Sequence, residues 1–180
     1  MNLDPIRDRI PAYAKDLSLN LGSVLTTQGS PALSRDQILG TALACAHAAR
    51  DARITDLFET AIGDAVAPEI KDAARAAAAI MGMNNVYYRF VHLTEDEDYL
   101  RMPARLRMNA LRDPGVDKDD FELFCLAVSA VNGCGLCVSS HEKALRKAGF
   151  SREGIQSAAR IAAVIDAVAG VLAHPQAEAA

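Results

Sequence analysis

The sequence predicts an all-α protein, and three observations carry that prediction. No alternation of apolar and polar residues lasts beyond a few positions, so nothing marks a half-buried strand. Runs rich in alanine, such as Ala73 to Ala79 broken only by Arg75, consist of the best helix former. Ser, Asp and Pro stand where helices would begin, and Gly where they would end.

Taken in order, Asp4-Pro5 supplies an N-cap with proline at the first helical position. Pro11 must then kink, end or restart that segment. Ser34 to Gln37 has the pattern of a capping box and opens a helix to about Arg50. Asp51 to about Ala65 is a further helix, and Pro68-Glu69 opens a long one to about Phe90. The acidic Glu95-Asp96-Glu97-Asp98 reads as a solvated loop, and Asp113-Pro114-Gly115 as a turn. Asp117 caps a helix from about Lys118 to Val131. Asn132-Gly133 interrupts it, a new helix starts near Cys134, and Gly149 stops that one. Ser151 caps the last helix, which is expected to end before Pro175.

A faint repeat runs through these helices. Residues 70–80 and 155–165 are identical at seven of eleven positions, at an offset of 85, although alanine richness inflates the match. The reading is a single domain over residues 1–180 built from two similar helical halves, about 34–90 and 117–174. At that offset Gln37 faces Glu122, Ala49 faces Cys134 and Asp56 faces His141, so the chemistry is expected in the second half alone.

Composition excludes several classes. The chain is 51% hydrophobic, so it is no disordered polymer. A net charge of -4 without a basic tract gives no nucleic-acid footprint. No apolar run is read as long and charge-free enough to cross a bilayer, and no basic segment with an apolar run behind it opens the chain. Cytoplasm is the expected compartment. There, a close pair among four cysteines points to redox or metal chemistry rather than to a secreted scaffold.

That pair is Cys134 and Cys137, with His141 four residues further on. On a helix these positions form one stripe, with an imidazole one turn from a thiol. A thiolate is the reactive form of cysteine, and a helix start and a neighbouring histidine both favour it. Histidine titrates near neutrality and can carry the proton. Glu122 lies in an otherwise apolar run, on one helical face with Cys125, Leu126 and Ser129, and is a candidate to relay that proton. Zinc would need four ligands, and one helix offers three. Haem attachment would need histidine where Val138 stands. Cys45 and Cys125 read as small buried hydrophobes. His47, His92 and His174 read as isolated, and Met81-Gly82-Met83 with Tyr87-Tyr88 as packing or a subunit contact.

Further motifs run along the chain: Ile10 to Asp16 with Leu19-Asn20-Leu21, Ala79 to Arg89, Leu106 to Asn109 and Asp113 to Gly115. They continue through Phe121 to Leu123, Ala127 to Ala130, Asn132-Gly133-Cys134, Cys137 and His141-Glu142. In these the chain resembles the alkyl hydroperoxidase D family of the carboxymuconolactone decarboxylase-like group. The resemblance implies an all-helical fold and a homotrimer. It implies that Cys137 attacks a peroxide, that Cys134 closes a disulfide, and that Glu122 and His141 relay the proton. No bound cofactor is implied. The implied electron donor is a dihydrolipoyl group on the acyltransferase of a 2-oxo-acid dehydrogenase complex, with a peroxiredoxin as a further partner. The family often has histidine directly before the second cysteine, where this chain has Leu136. Three other classes stay open on the residues alone: a non-redox enzyme of the wider decarboxylase-like group, a metal-binding module, and a helical interaction protein.

Overall fold

The computed structural model describes residues 1–173. They form helices α1 (Asp4–Arg7), α2 (Lys15–Val24), α3 (Arg35–Ala48), α4 (Ala52–Ile62), α5 (Pro68–Leu93), α6 (Glu97–Arg101), α7 (Lys118–Val131), α8 (Gly135–Lys147) and α9 (Arg152–Ala173). Among the described residues there is no strand, as the missing alternation requires. His174 and the expected stop before Pro175 lie outside the described residues.

Two helices are apolar almost all round, and burial follows. In α3 every residue from Ile38 to Ala46 is buried, and in α7 every residue from Leu123 to Ser129. Such helices belong in the middle of a bundle. α3 and α7 pack on each other there, with α5 and α9 each lying against both. α4 packs on α3, and α8 packs on α7 and α5, which places α8 beside the middle of the long α5. Close approach in the centre depends on Gly40 of α3, since a Cβ there would meet the ring of Phe124 and come within 3.0 Å of Ile70 Cγ2.

The capping residues set the helix starts. Ser34 and Gln37 form the reciprocal capping box. The Asp51, Asp117 and Ser151 side chains accept from the first-turn backbone of α4, α7 and α9. Three expectations need correction. Asp4 is the first residue of α1 rather than its cap, and Asn2 Oδ1 accepts from its N–H instead. The acidic run is not all loop: Asp96 caps the short α6, and Arg101 pairs with Glu97 and Asp98 one turn back. α9 is long and apolar enough to cross a membrane by length and composition alone. Half of its most apolar stretch is buried in the bundle against α2, α3 and α7.

An offset of 83 takes Arg35 to Lys118, Ala48 to Val131 and the α4 cap Asp51 to the α8 cap Cys134. The offset grows along the chain: α8, at 13 residues, is two longer than α4, at 11, and the helix starts Pro68 and Arg152 stand 84 apart. Were the halves matched by these bounds, Leu39 would stand opposite Glu122, Asp51 opposite Cys134 and Phe58 opposite His141.

Gly40→Ala and Gly82→Ala should act in opposite directions. The first overpacks a buried contact and should cost about 1–3 kcal/mol. The second meets nothing within 4 Å inside α5, and should gain up to about 1 kcal/mol from helix propensity. Urea unfolding midpoints measure both, and a shift of the same sign in the two variants would reject this account of the core.

Candidate active site

Cys134 and Cys137 are placed by the turn between α7 and α8. Asn132 ends α7, and Gly133 takes φ +66, a left-handed value that suits glycine. The chain then extends at Cys134, which is the N-cap of α8. α5 holds this turn in place. Arg89 Nη1 donates to the Asn132 carbonyl at 2.6 Å, Asn132 Nδ2 donates to Asn85 Oδ1 at 3.0 Å, and Asn85 Nδ2 donates to Ser129 Oγ at 2.9 Å. Arg50 of the α3–α4 turn reaches Asn132 Oδ1 at 3.4 Å.

Cys134 and Cys137 form a disulfide with their Cα atoms 5.3 Å apart. Cys134 has no exposure and its Sγ accepts from Cys137 N. Cys137 is 6% exposed, and that exposure opens into a cavity of about 390 Å³. α8 contributes Leu136, Cys137, Ser140 and His141 to its wall, α5 contributes Met81, Asn84 and Tyr88, and the segment before α7 contributes Met108 and Leu111. Most of this lining is apolar.

His141 completes the stripe expected from spacing. Its Nδ1 lies 2.8 Å from Glu122 Oε1, and its Nε2 lies 3.3 Å from Met81 Sδ. A carboxylate can only accept, so Nδ1 donates to Glu122; Nε2 is the basic nitrogen of the neutral ring, and its contact with Met81 Sδ, a sulfur that only accepts, becomes a hydrogen bond when Nε2 is protonated. Glu122 is outside the cavity wall and reaches His141 across the α7–α8 packing; its side chain is 27% exposed, less buried than its apolar neighbours suggest. All four residues singled out from sequence thus come together.

The remaining cysteines behave as predicted. Cys45 and Cys125 are fully buried free thiols. Burial pushes both thiols well above the usual range, with Asp166 adding to it for Cys45 and Glu122 for Cys125. His47 is not isolated: it sits 3.0 Å from Glu59, which also pairs with Arg75 at 2.7 Å. Sequence reasoning missed Met81, Asn84 and Tyr88 as cavity residues. Their spacing of three and then four is the one signal that could have found them, since it puts all three on one face of α5. Among the described residues no group of three or more His, Cys, Asp or Glu side chains is gathered as metal ligands would be.

Residues 97–174, which carry the dithiol, Glu122 and His141, match the carboxymuconolactone decarboxylase family. Over nearly the whole length the chain is similar to proteins named alkyl hydroperoxide reductase AhpD. It is 53% identical to that of Rhizorhabdus wittichii, over 95% of this chain and 97% of the relative. It is 49% identical to that of Methylocella silvestris, over 98% and 97%, and 51% identical to that of Coxiella burnetii, over 94% and 96%. The chain belongs to the AhpD family.

Thiol titration should divide the four cysteines into two pairs. Reducing the native protein should release one pair, Cys134 and Cys137. Denaturing the oxidised protein should expose the other, Cys45 and Cys125. Peptide mass mapping checks the bond, and a bond to either buried thiol would reject the assignment.

Proposed function

We propose that this protein is a thiol-dependent peroxidase of the alkyl hydroperoxide reductase type, cycling between the Cys134/Cys137 dithiol and its disulfide. The observation that carries the reading is one wall holding Cys137 beside a histidine whose far nitrogen is fixed by Glu122 at 2.8 Å. The relatives' names point the same way.

In the reduced protein His141 Nε2 takes the proton of Cys137, and Glu122 stabilises the imidazolium through Nδ1. The Cys137 thiolate attacks the terminal oxygen of a hydroperoxide and the O–O bond breaks. The other oxygen leaves as an alcohol, or as water from hydrogen peroxide, taking the proton back from His141. Cys137 is then a sulfenic acid. The Cys134 thiol attacks its sulfur, water leaves, and the disulfide closes. Overall one hydroperoxide and two thiols give an alcohol, water and a disulfide. A dithiol returns the site by exchange, attacking one sulfur of the bond and then closing its own disulfide.

The family resemblance supplies the donor, a dihydrolipoyl group on a 2-oxo-acid dehydrogenase acyltransferase, and a peroxiredoxin as a partner for electron transfer. It also supplies the trimer; the cytoplasmic setting is the one in which a close cysteine pair serves redox chemistry. The fold offers a face for subunits: Val86, Phe90 and Leu93 project exposed from one stripe of α5, with Leu100 and Met102 exposed close by in sequence. The two halves, about 34–90 and 117–174, read as one duplicated unit within a single domain, with α3, α4 and α5 answering to α7, α8 and α9.

Peroxide reduction coupled to dihydrolipoamide tests the function. Cys137→Ser should abolish turnover, and Glu122→Gln and His141→Ala should each lower it more than tenfold, or about 1.4 kcal/mol of barrier per tenfold. Wild-type rates in the last two would remove the relay. Leu136→His, which adds a second imidazole to the wall, should shift the pH profile of turnover; an unchanged profile would exclude that position from proton handling. Light scattering on the eluting protein should give three times the 19.2 kDa of one chain. A mass of one chain at all dilutions would reject the subunit face, and a dimer would reject the family inference alone.

A further inference from the structure

The mechanism above gives Met81 no part, although its sulfur sits on the site's base. Met81 is 2% exposed and lines the same cavity as Cys137 and His141. Its Sδ lies 3.3 Å from His141 Nε2, and Asn85 Nδ2 donates to it more weakly from 3.9 Å. Leucine would fill that volume in a mostly apolar wall with little loss of stability, and without a sulfur that peroxides oxidise. The departing oxygen of a hydroperoxide takes its proton from Nε2, so during turnover it stands within about 3 Å of that nitrogen. Sδ and the peroxide are then neighbours of one atom. The geometry is that of the disulfide form, in which Cys137 has no thiolate to offer. A peroxide that enters this form meets the thioether as the nucleophile beside Nε2.

We propose that Met81 is a modification site: while the dithiol stays oxidised, hydroperoxide converts its thioether to the sulfoxide, and the added oxygen silences His141. The sulfur attacks the terminal peroxide oxygen, an S–O bond forms and the O–O bond breaks. The sulfur loses two electrons and the peroxide gains them. The proton of the transferred oxygen passes to the departing one through His141. One thioether and one hydroperoxide thus give one sulfoxide and one alcohol, or water from hydrogen peroxide. A thioether sulfur is a weak acceptor, whereas a sulfoxide is polar and accepts through oxygen. That oxygen takes the place beside Nε2 that the departing oxygen of a peroxide needs, and it holds the Nε2 proton there. A dithiol that opens the disulfide leaves the sulfoxide in place, because sulfoxides have reductases of their own. The block therefore outlasts re-reduction, and turnover stops when peroxide outruns the electron donor. The inference rests on the peroxidase reading and deepens it by naming how that site is regulated.

The test follows mass and turnover together. Oxidised protein is held with excess cumene hydroperoxide, freed of peroxide, reduced with dihydrolipoamide and assayed. Samples taken on the way are digested with trypsin. Cleavage after Arg75 and Arg89 leaves Met81 and Met83 in one peptide, and fragment ions place the added oxygen. Met83 is the more exposed of the two and stands outside the cavity wall, so exposure alone has it oxidise first. The expected order is the reverse, with Met81 at least threefold faster than Met83. Turnover should fall in step with the Met81 sulfoxide, to under a tenth of its starting value. Met81→Leu, measured against its own untreated rate, should keep more than half of its turnover over the same exposure. Loss at the wild-type pace in Met81→Leu overturns the inference, as does oxidation of Met83 first, or a wild-type protein that carries the Met81 sulfoxide at full turnover. If Met81→Leu does not fold, the wild-type protein decides alone: turnover lost without the sulfoxide rejects the inference, and turnover lost in step with it supports the inference. A wild-type protein without turnover before treatment would overturn the peroxidase reading and the silencing with it, while the order of Met81 and Met83 still decides the modification site.

Discussion

The grip of α5 on the α7–α8 turn is the constraint on which the site depends. Asn85 and Arg89 hold Asn132 by its side chain and its carbonyl. Those bonds fix where α7 stops, and Gly133 then reverses the chain with its left-handed φ. Only with that reversal does Cys134 fall at the cap of α8 and Cys137 on the cavity wall one turn later. The same contact brings α5 close enough for Met81 to reach His141 Nε2. One latch between two helices therefore sets the dithiol, the base and the opposite wall together. Loosening it would displace all three at once, where loss of a surface ion pair such as Arg101–Glu97 would displace nothing in the site.

Burial alone would make Cys137 inert. Cys45 and Cys125 are as enclosed as Cys134, and their thiols are driven up accordingly. The helix N-terminus stabilises a nearby anion by up to about 2 kcal/mol when partly buried, which is about one and a half units of ionisation. That is too little to offset desolvation and also make a thiolate abundant at neutral pH. On the proposed mechanism the imidazole of His141 supplies the rest, held in place by Glu122 at 2.8 Å. The apolar wall raises what the histidine must do, and Leu136 stands where the family often has a further histidine. The proposed site thus holds one imidazole in a pocket of mostly apolar lining, where a charge–charge contact is stronger than it would be in bulk water.

Most of the frame is legible in the sequence because helix ends are local. Ser34, Asp51, Asp117, Ser151 and Gly149 act within four residues of themselves, and their signals need no tertiary partner. The dithiol, His141 and Glu122 are legible for the related reason that helical spacing already puts a base beside a thiol. What escapes the sequence is non-local. Met81, Asn84 and Tyr88 share a face, but nothing in the chain says that α8, more than forty residues away, is what that face meets. His47 looks solitary because its partner Glu59 lies on the next helix. Asp4 falls one position inside its helix because Asn2, not the aspartate, reaches the first amide. α9 passes as a possible span because its few charges are spread over a length of 22 residues, and only its packing in the bundle shows where its apolar face goes.

The two halves differ most at the position where they agree in shape. Asp51 and Cys134 cap α4 and α8, each directly after a residue with left-handed φ, Arg50 at +58 and Gly133 at +66. An aspartate is the ordinary solution there, since its carboxylate accepts first-turn amides and answers the helix dipole. Cys134 Sγ takes that accepting role toward Cys137 N at 3.4 Å, a longer and weaker contact than an oxygen makes. The second half thus gives up capping strength at the start of α8. The compensation lies in the latch from α5, because a turn held from outside needs less from its cap. In the first half Phe58 stands where His141 stands in the second and Leu39 where Glu122 stands, both as full core residues. Under the proposed duplication, the triplet α3–α5 carries apolar side chains at the two positions where the triplet α7–α9 carries an imidazole–carboxylate pair.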